Sequence, residues 1–268
     1  MSSSHLPLGL KPSSPETTAL KLASIAQKGR AVIAVDLDDV LSQTSRCAAE
    51  WHNRRFATDM QISTFYYSMW YKNPGWGTVP QTLEKVKEFY DTDQLRNAIP
   101  VPGALDGVRA LRNLGFELVI VTARIINAEY ESTMRWLQCH FEDLFDCVVF
   151  SAQSQESLSD DESYVGTRLT KLQVCAASHA IVLVDDLLET ALVVARQGRL
   201  PVLLFGDYEW NQRVDAGDKW GFEEKLQAEG GRKWWLEDTV ELQDDMIWRV
   251  RGWDEVAAWV VANFVRTA

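Results

Sequence analysis

Residues 31–41 read AVIAVDLDDVL: five apolar residues, then Asp36, Asp38 and Asp39 with only Leu37 between the first two. The run is rich in β-branched residues and has no polar alternation. That pattern reads as a strand buried on both faces, as in a parallel sheet. Four more runs share it: FELVIV (116–121), CVVF (147–150), IVLV (181–184) and PVLLF (201–205). Between them lie helical patterns. GALDGVRALRNLG (103–115) sets Leu105, Val108, Leu111 and Leu114 near one face and ends at Gly115, which fits a C-terminal cap. EYESTMRWLQCHF, LTKLQVCAASHA and DLLETALVVARQG follow in turn. Strands alternating with helices predict right-handed crossovers and an α/β, Rossmann-like parallel sheet flanked by helices.

The interval after the first strand is too long for one crossover helix. It holds two helical stretches, TSRCAAEWHNRRF and QTLEKVKEFYDTDQL, on either side of the aromatic segment TFYYSMWYKNPGWG. The division that follows is a tail over 1–30, a core over 31–41 and 102–268, and a small helical cap over 42–101. The tail is Ser/Pro-rich and is expected to be disordered. It has no apolar core of the signal-peptide kind, and arginine is absent before Arg30.

The 268 residues carry a formal net charge of −11. Such a field disfavours nonspecific attraction to a nucleic acid polymer or an anionic membrane. No apolar run is long enough to span a bilayer. Cys47, Cys139, Cys147 and Cys175 form no CxxC pair and give neither a zinc site nor a disulfide framework, so they read as reduced thiols of a cytoplasmic protein.

In an open α/β sheet, ligands bind at the carboxyl ends of the strands. Asp36 stands at that edge, and a turn can return Asp38 to the same place. One carboxylate can attack phosphorus while a second moves protons to and from the leaving and attacking oxygens. An acidic turn without chemistry is the bland alternative. The second strand ends in Val121-Thr122-Ala123-Arg124. The Thr122 hydroxyl could donate to a phosphoryl oxygen or cap a helix. Lys171 opens the helix before the fourth strand and could pair with a phosphoryl group, with Arg168 as a competitor for that role. The fourth strand ends in Asp185-Asp186, adjacent carboxylates that lose hydration and repel each other, and so call for a hard cation such as Mg²⁺.

The ordered set VIAVDLDDVL, VIVTAR, Lys171 and IVLVDD is similar to the four motifs of the haloacid-dehalogenase superfamily, and spans residues 31–186. FGDYEWNQ (205–212) and the approach to the second motif resemble its 5'-nucleotidase-like branch. The resemblance implies a magnesium-dependent phosphatase acting through an aspartyl-phosphate on a nucleotide or another small phosphorylated metabolite. By position it implies Asp36 as nucleophile and metal ligand. Asp38 becomes the general acid/base, with its backbone carbonyl on the metal. Thr122 and Lys171 hold the phosphoryl group, and Asp185 and Asp186 complete the Mg²⁺ site. Two other readings stay open. Asp185-Asp186-Leu187-Leu188-Glu189 has the DDxxE form of a diphosphate-binding terpene cyclase or lyase, and the scaffold could serve binding alone. The cap aromatics Trp51, Tyr66, Tyr67, Trp70, Tyr71 and Trp76 are expected as cap core rather than as a stacking surface. Trp234, Trp235, Trp248, Trp253 and Trp259 are expected to pack against the sheet.

Overall fold

The computed structural model describes residues 15–124, 126–151, 169–215 and 217–265. Its centre is one parallel sheet built from β1 (Val32–Val35), β2 (Glu117–Thr122), β3 (Cys147–Phe150), β4 (Ala180–Asp185), β5 (Val202–Phe205) and β6 (Ile247–Val250). The spatial order is β3-β2-β1-β4-β5-β6. The chain therefore winds outward in one direction from β1 and then in the other from β4. The crevice where the direction changes lies between β1 and β4, whose register sets Val35 beside Val184.

Helices cover both faces, which is why the strands carry unbroken apolar runs. On one side, Ile33 and Val35 of β1 pack with α4 (Ala104–Asn113), α5 (Ile126–Phe141) and α9 (Trp253–Phe264). On the other, Val32 and Ala34 meet α1 (Pro15–Ala26), α6 (Lys171–Ala177) and α7 (Leu188–Gly198). The period of two along β1 is the pleat itself. Helices α4 and α9 approach closely because Gly107 lacks a side chain: a Cβ there would lie 2.7 Å from the Trp253 ring. Trp253 thus reaches past α4, and its Nε1–H donates to the Val40 carbonyl at 2.9 Å, bracing the loop after β1.

Between β1 and β2 stands the helical cap, with α2 (Thr44–Phe56) and α3 (Val79–Tyr90) as its main helices. Thr78 and Gln81 form a capping box at the start of α3. Two connections join cap to core and run side by side: the Gln43 N–H donates to the Ile99 carbonyl, and the Val101 N–H to the Leu41 carbonyl.

Three expectations need correction. The sheet has a sixth strand, IWRV, whose edge position leaves Trp248 half-buried and Arg249 exposed, so the doubly buried signature is missing. Residues 15–26 of the expected disordered tail form α1, whose Leu22 and Ile25 are buried against the sheet; residues 1–14 lie outside the described residues. Trp234 and Trp235 do not pack on the sheet. They join Phe222, from α8 (Phe222–Ala228), and the cap's Tyr66 and Tyr67 in a separate aromatic cluster.

Candidate active site

The main chain of β1 continues into the site: the Asp36 N–H still donates to the Val184 carbonyl at 2.9 Å. The backbone then coils tightly. The N–H groups of Leu41 and Ser42 both donate to the Leu37 carbonyl. Asp39 sits in the left-handed region at φ 57°, a conformation that aspartate tolerates better than most side chains. Its buried carboxylate accepts the Ser45 N–H at 3.0 Å and so ties the turn to the first turn of α2. Burial pushes the Asp39 carboxyl up to about 7, although the Ser45 bonds pull the other way. From the segment after β5, the Tyr208 hydroxyl donates to the Asp39 carbonyl at 2.8 Å.

Asp36, Asp185 and Asp186 converge. Each is buried, and one carboxylate oxygen from each lies within 4.8 Å of the others. Lys171, the first residue of α6, is also buried and places its Nζ 2.7 Å from Asp36 Oδ2 and 2.7 Å from Asp185 Oδ2. Burial would lower the pKa of that ammonium, but the two carboxylates outweigh it and raise the pKa instead. Burial raises the Asp36 carboxyl to about 7, with Lys171 opposing and Asp185 and Asp38 adding to the rise. Asp186 is pushed well up by burial and by Asp36, Asp185 and Asp39. One ammonium thus faces three carboxylates. A buried, hard-oxygen donor set with that surplus of negative charge suits a divalent cation such as Mg²⁺. Asp186 Oδ2 accepts the Trp210 Nε1–H at 2.7 Å.

The Asp38 side chain turns away from this group. Its oxygens accept from Arg124 Nε at 3.0 and 3.1 Å and from Arg124 Nη2 at 2.6 Å, and the Thr44 hydroxyl also donates to Oδ1. Burial would raise this carboxyl, but Arg124 and Thr44 hold it below the usual range. The Asp38 carboxylate is not part of the Asp36, Asp185 and Asp186 group. Thr122 ends β2 fully buried, and its Oγ1 accepts the Arg124 N–H at 3.2 Å, which leaves the hydroxyl hydrogen for another acceptor. Arg168 lies outside the described residues. Glu189, the last letter of the DDxxE reading, is turned elsewhere: its Oε1 accepts the Asp215 N–H at 2.8 Å.

Comparison with known proteins adds three findings. The family model described as 5' nucleotidase, deoxy (pyrimidine), cytosolic type C matches residues 30–159, just under half of the chain, and includes Asp36, Asp38 and Thr122. Among solved structures, a predicted phosphatase from Clostridium acetobutylicum superposes with a TM-score of 0.50 at 14% identity, covering 87% of this chain and 99% of that one. Protein tyrosine kinase A from Mycobacterium tuberculosis superposes with a TM-score of 0.53 at 14% identity, covering 86% and 98%. No curated protein matches. The structural likenesses speak for the fold. The family match covers the segments of Asp36, Asp38 and Thr122, while Lys171, Asp185 and Asp186 lie beyond it and join them through the fold. Over residues 30–159 the chain is similar to this 5'-nucleotidase family.

Around the motif residues the structure places partners that the sequence left unmarked. Arg124, Thr44, Tyr208 and Trp210 all touch motif carboxylates or their loop. The only signal for Arg124 was its place two residues after Thr122. Trp210 lay in a segment singled out for resemblance, without a role. The cap aromatics divide. Trp51 and Trp76 are buried with Phe65 and Phe89 in a cluster that Trp210 joins from the segment after β5, and Trp70 packs against it. Tyr66 stacks on Trp235 at 5.4 Å, the Tyr67 hydroxyl donates to Asp238, and Tyr71 donates to the Asp218 carbonyl. Lys72 adds buried ion pairs to Asp215 and Asp218, and the Gly75 N–H donates to Glu223. The cap is thereby joined to the segment between β5 and β6. Among the described residues, no helix is long and apolar enough to cross a membrane.

Proposed function

We propose that this chain is a magnesium-dependent phosphomonoester hydrolase working through an aspartyl-phosphate on Asp36, with a nucleoside monophosphate as its class of substrate. The observation that supports this most is the shared lysine. Lys171 Nζ stands 2.7 Å from both Asp36 and Asp185 at the crevice between β1 and β4, beside Asp186. The family match to deoxyribonucleotide 5'-nucleotidases supports the substrate class. The reading divides the chain into a core (31–41 and 102–268) and a cap (42–101).

Asp36, Asp185 and Asp186, with the Asp38 carbonyl, would hold the Mg²⁺. When bound it neutralises the carboxylates and the phosphate dianion so that they can approach. The Asp36 N–H bond to β4 and the Leu37 N–H on Asp36 Oδ1 (2.7 Å) fix the nucleophile. An Asp36 oxygen bonds to phosphorus as the bond to the ester oxygen breaks, and Asp38 gives that oxygen a proton. Asp38 then takes a proton from water. The water oxygen bonds to phosphorus, and Asp36 is released with free phosphate. Lys171 and the Thr122 hydroxyl balance charge on the transferring oxygens.

Hydrolysis of 4-nitrophenyl phosphate should stop in EDTA, return with Mg²⁺, and vanish in Asp36→Asn. Among natural esters, nucleoside monophosphates should be preferred over sugar phosphates. Full activity in chelator or in Asp36→Asn would remove the basis of the reading. A preference for sugar phosphates would retain the chemistry and change the substrate class.

A further inference from the structure

Arg124 has no part in the scheme above, yet it is bound from several sides. It is 6% exposed. Its Nε spans both Asp38 oxygens, Nη2 reaches Asp38 and the Thr44 hydroxyl (3.2 Å), and Nη1 donates to the buried Thr133 hydroxyl at 3.0 Å. Asp38 itself keeps about 30% of its side chain exposed, so the protein contacts it mainly from the arginine side. A buried guanidinium is stable only among anions and acceptors. Besides Asp38, the anion acting on it is Glu129 of α5, which is 1% exposed. Tyr90, which ends α3 in the cap, lies near enough that Glu129 and Asp38 add to the rise that burial imposes on its hydroxyl. The chain Asp38–Arg124–Glu129–Tyr90 therefore runs from the catalytic loop, through the core, to the cap.

We propose that Arg124 is a positioning residue. It holds the Asp38 carboxylate in the plane from which that group serves the ester oxygen, and Glu129 and Tyr90 couple this hold to the cap. A guanidinium fork fixes a carboxylate's plane through parallel bonds, which a lysine ammonium cannot reproduce. The arginine keeps its own proton throughout and acts through Asp38, whose plane it fixes. The inference rests on Asp38 being the general acid of the reaction proposed above.

The test compares kcat/KM for two esters in the full chain. 4-Nitrophenyl phosphate releases a stable phenolate and needs little protonation. A nucleoside monophosphate releases an alkoxide and needs a proton. Arg124→Lys should lose about 10–100-fold more on the alkyl ester than on the aryl ester, a share of the roughly 10²–10⁴-fold contributed by general acid catalysis. Tyr90→Phe should show the same bias, a few-fold in size, with an unchanged melting temperature. In an Asp38→Asn background, Arg124→Lys should add almost nothing, since the two residues act as one unit. Equal losses on both esters, multiplicative losses in the double variant, or a loss confined to KM would overturn the proposal. The last would make Arg124 a phosphoryl ligand. If Asp38→Asn itself shows no leaving-group bias, the general-acid reading fails and takes the inference with it. A bias in Asp38→Asn that is absent in Arg124→Lys sinks the inference alone. Independently of turnover, the Arg124 Nε–H should exchange slowly in ¹⁵N-arginine-labelled protein and faster in Asp38→Asn. Unchanged exchange would refute the pairing.

Discussion

Replacing Lys171 with methionine keeps an unbranched side chain of similar length and removes one charge from the centre of the site. The ammonium lies 2.7 Å from an oxygen of Asp36 and 2.7 Å from one of Asp185. At an effective dielectric of about 20, each contact corresponds to roughly 6 kcal/mol of attraction. Desolvation of the buried ammonium offsets several kcal/mol of that total, and removing one partner of a buried pair leaves a net loss of about 3–5 kcal/mol. For a chain of this size the loss should appear as a fall of roughly 6–20 °C in melting temperature. The measurement is a thermal melt in EDTA at neutral pH, repeated across a Mg²⁺ titration. Lys171→Met should start lower and gain more from Mg²⁺ than the wild type, because the cation replaces the missing positive charge among Asp36, Asp185 and Asp186. A variant as stable as wild type in EDTA would refute the reasoning, since three buried carboxylates would then need no counter-charge.

Two further outcomes follow from neighbouring contacts. Trp210→Phe keeps the ring stacked on Tyr208 (centroids 4.2 Å apart) but removes the donor to Asp186. The Mg²⁺ concentration giving half-maximal activity should rise about 10–100-fold, as for other partners that orient a metal-binding carboxylate, and an unmoved midpoint counts against that role. His52 is fully buried between the Thr58 hydroxyl and Lys85 Nζ, and burial together with Lys85 lowers its pKa to about 4. The unfolded imidazole takes a proton near pH 6.5 and the folded one does not. The stabilising contribution is therefore complete above that pH and is lost as pH falls toward 4, by up to roughly 3 kcal/mol. Urea midpoints of His52→Gln should fall less steeply over this interval than those of wild type; parallel curves would show that His52 does not set the slope.

What could be read in the sequence was whatever the backbone fixes locally. Thr122 and Asp185 end strands and Asp36 follows one, and the apolar runs of all three strands are plain, so their common edge followed from the topology. Lys171 followed because it opens the helix leading into β4. Contacts made by side chains across long separations were not legible. Arg124 meets Asp38 from 86 residues away, and Trp210 reaches Asp186 from a segment beyond β5. Nothing in the local pattern says which acid an arginine or an indole will choose. The sixth strand was missed because an edge strand is buried on fewer sides, and α1 because its Ser/Pro-rich flank hid the Leu22–Ile25 face. Trp234 and Trp235 pack with Phe222 and Tyr67 rather than on the sheet, because apolar composition reports that a residue is buried and not against what.

The bonds from Tyr67, Lys72 and Gly75 to the segment between β5 and β6 have a thermodynamic consequence for catalysis. A lid hinged only by its two connections would lose freedom each time it closed over a ligand, at about 0.5–1.5 kcal/mol for every long side chain immobilised. Here these bonds restrict the cap during folding, so part of that ordering entropy is lost before any ester arrives. The affinity that a moving lid would consume in closing stays with the substrate complex. It is then available for contacts that strengthen only as the phosphorus–oxygen bonds exchange.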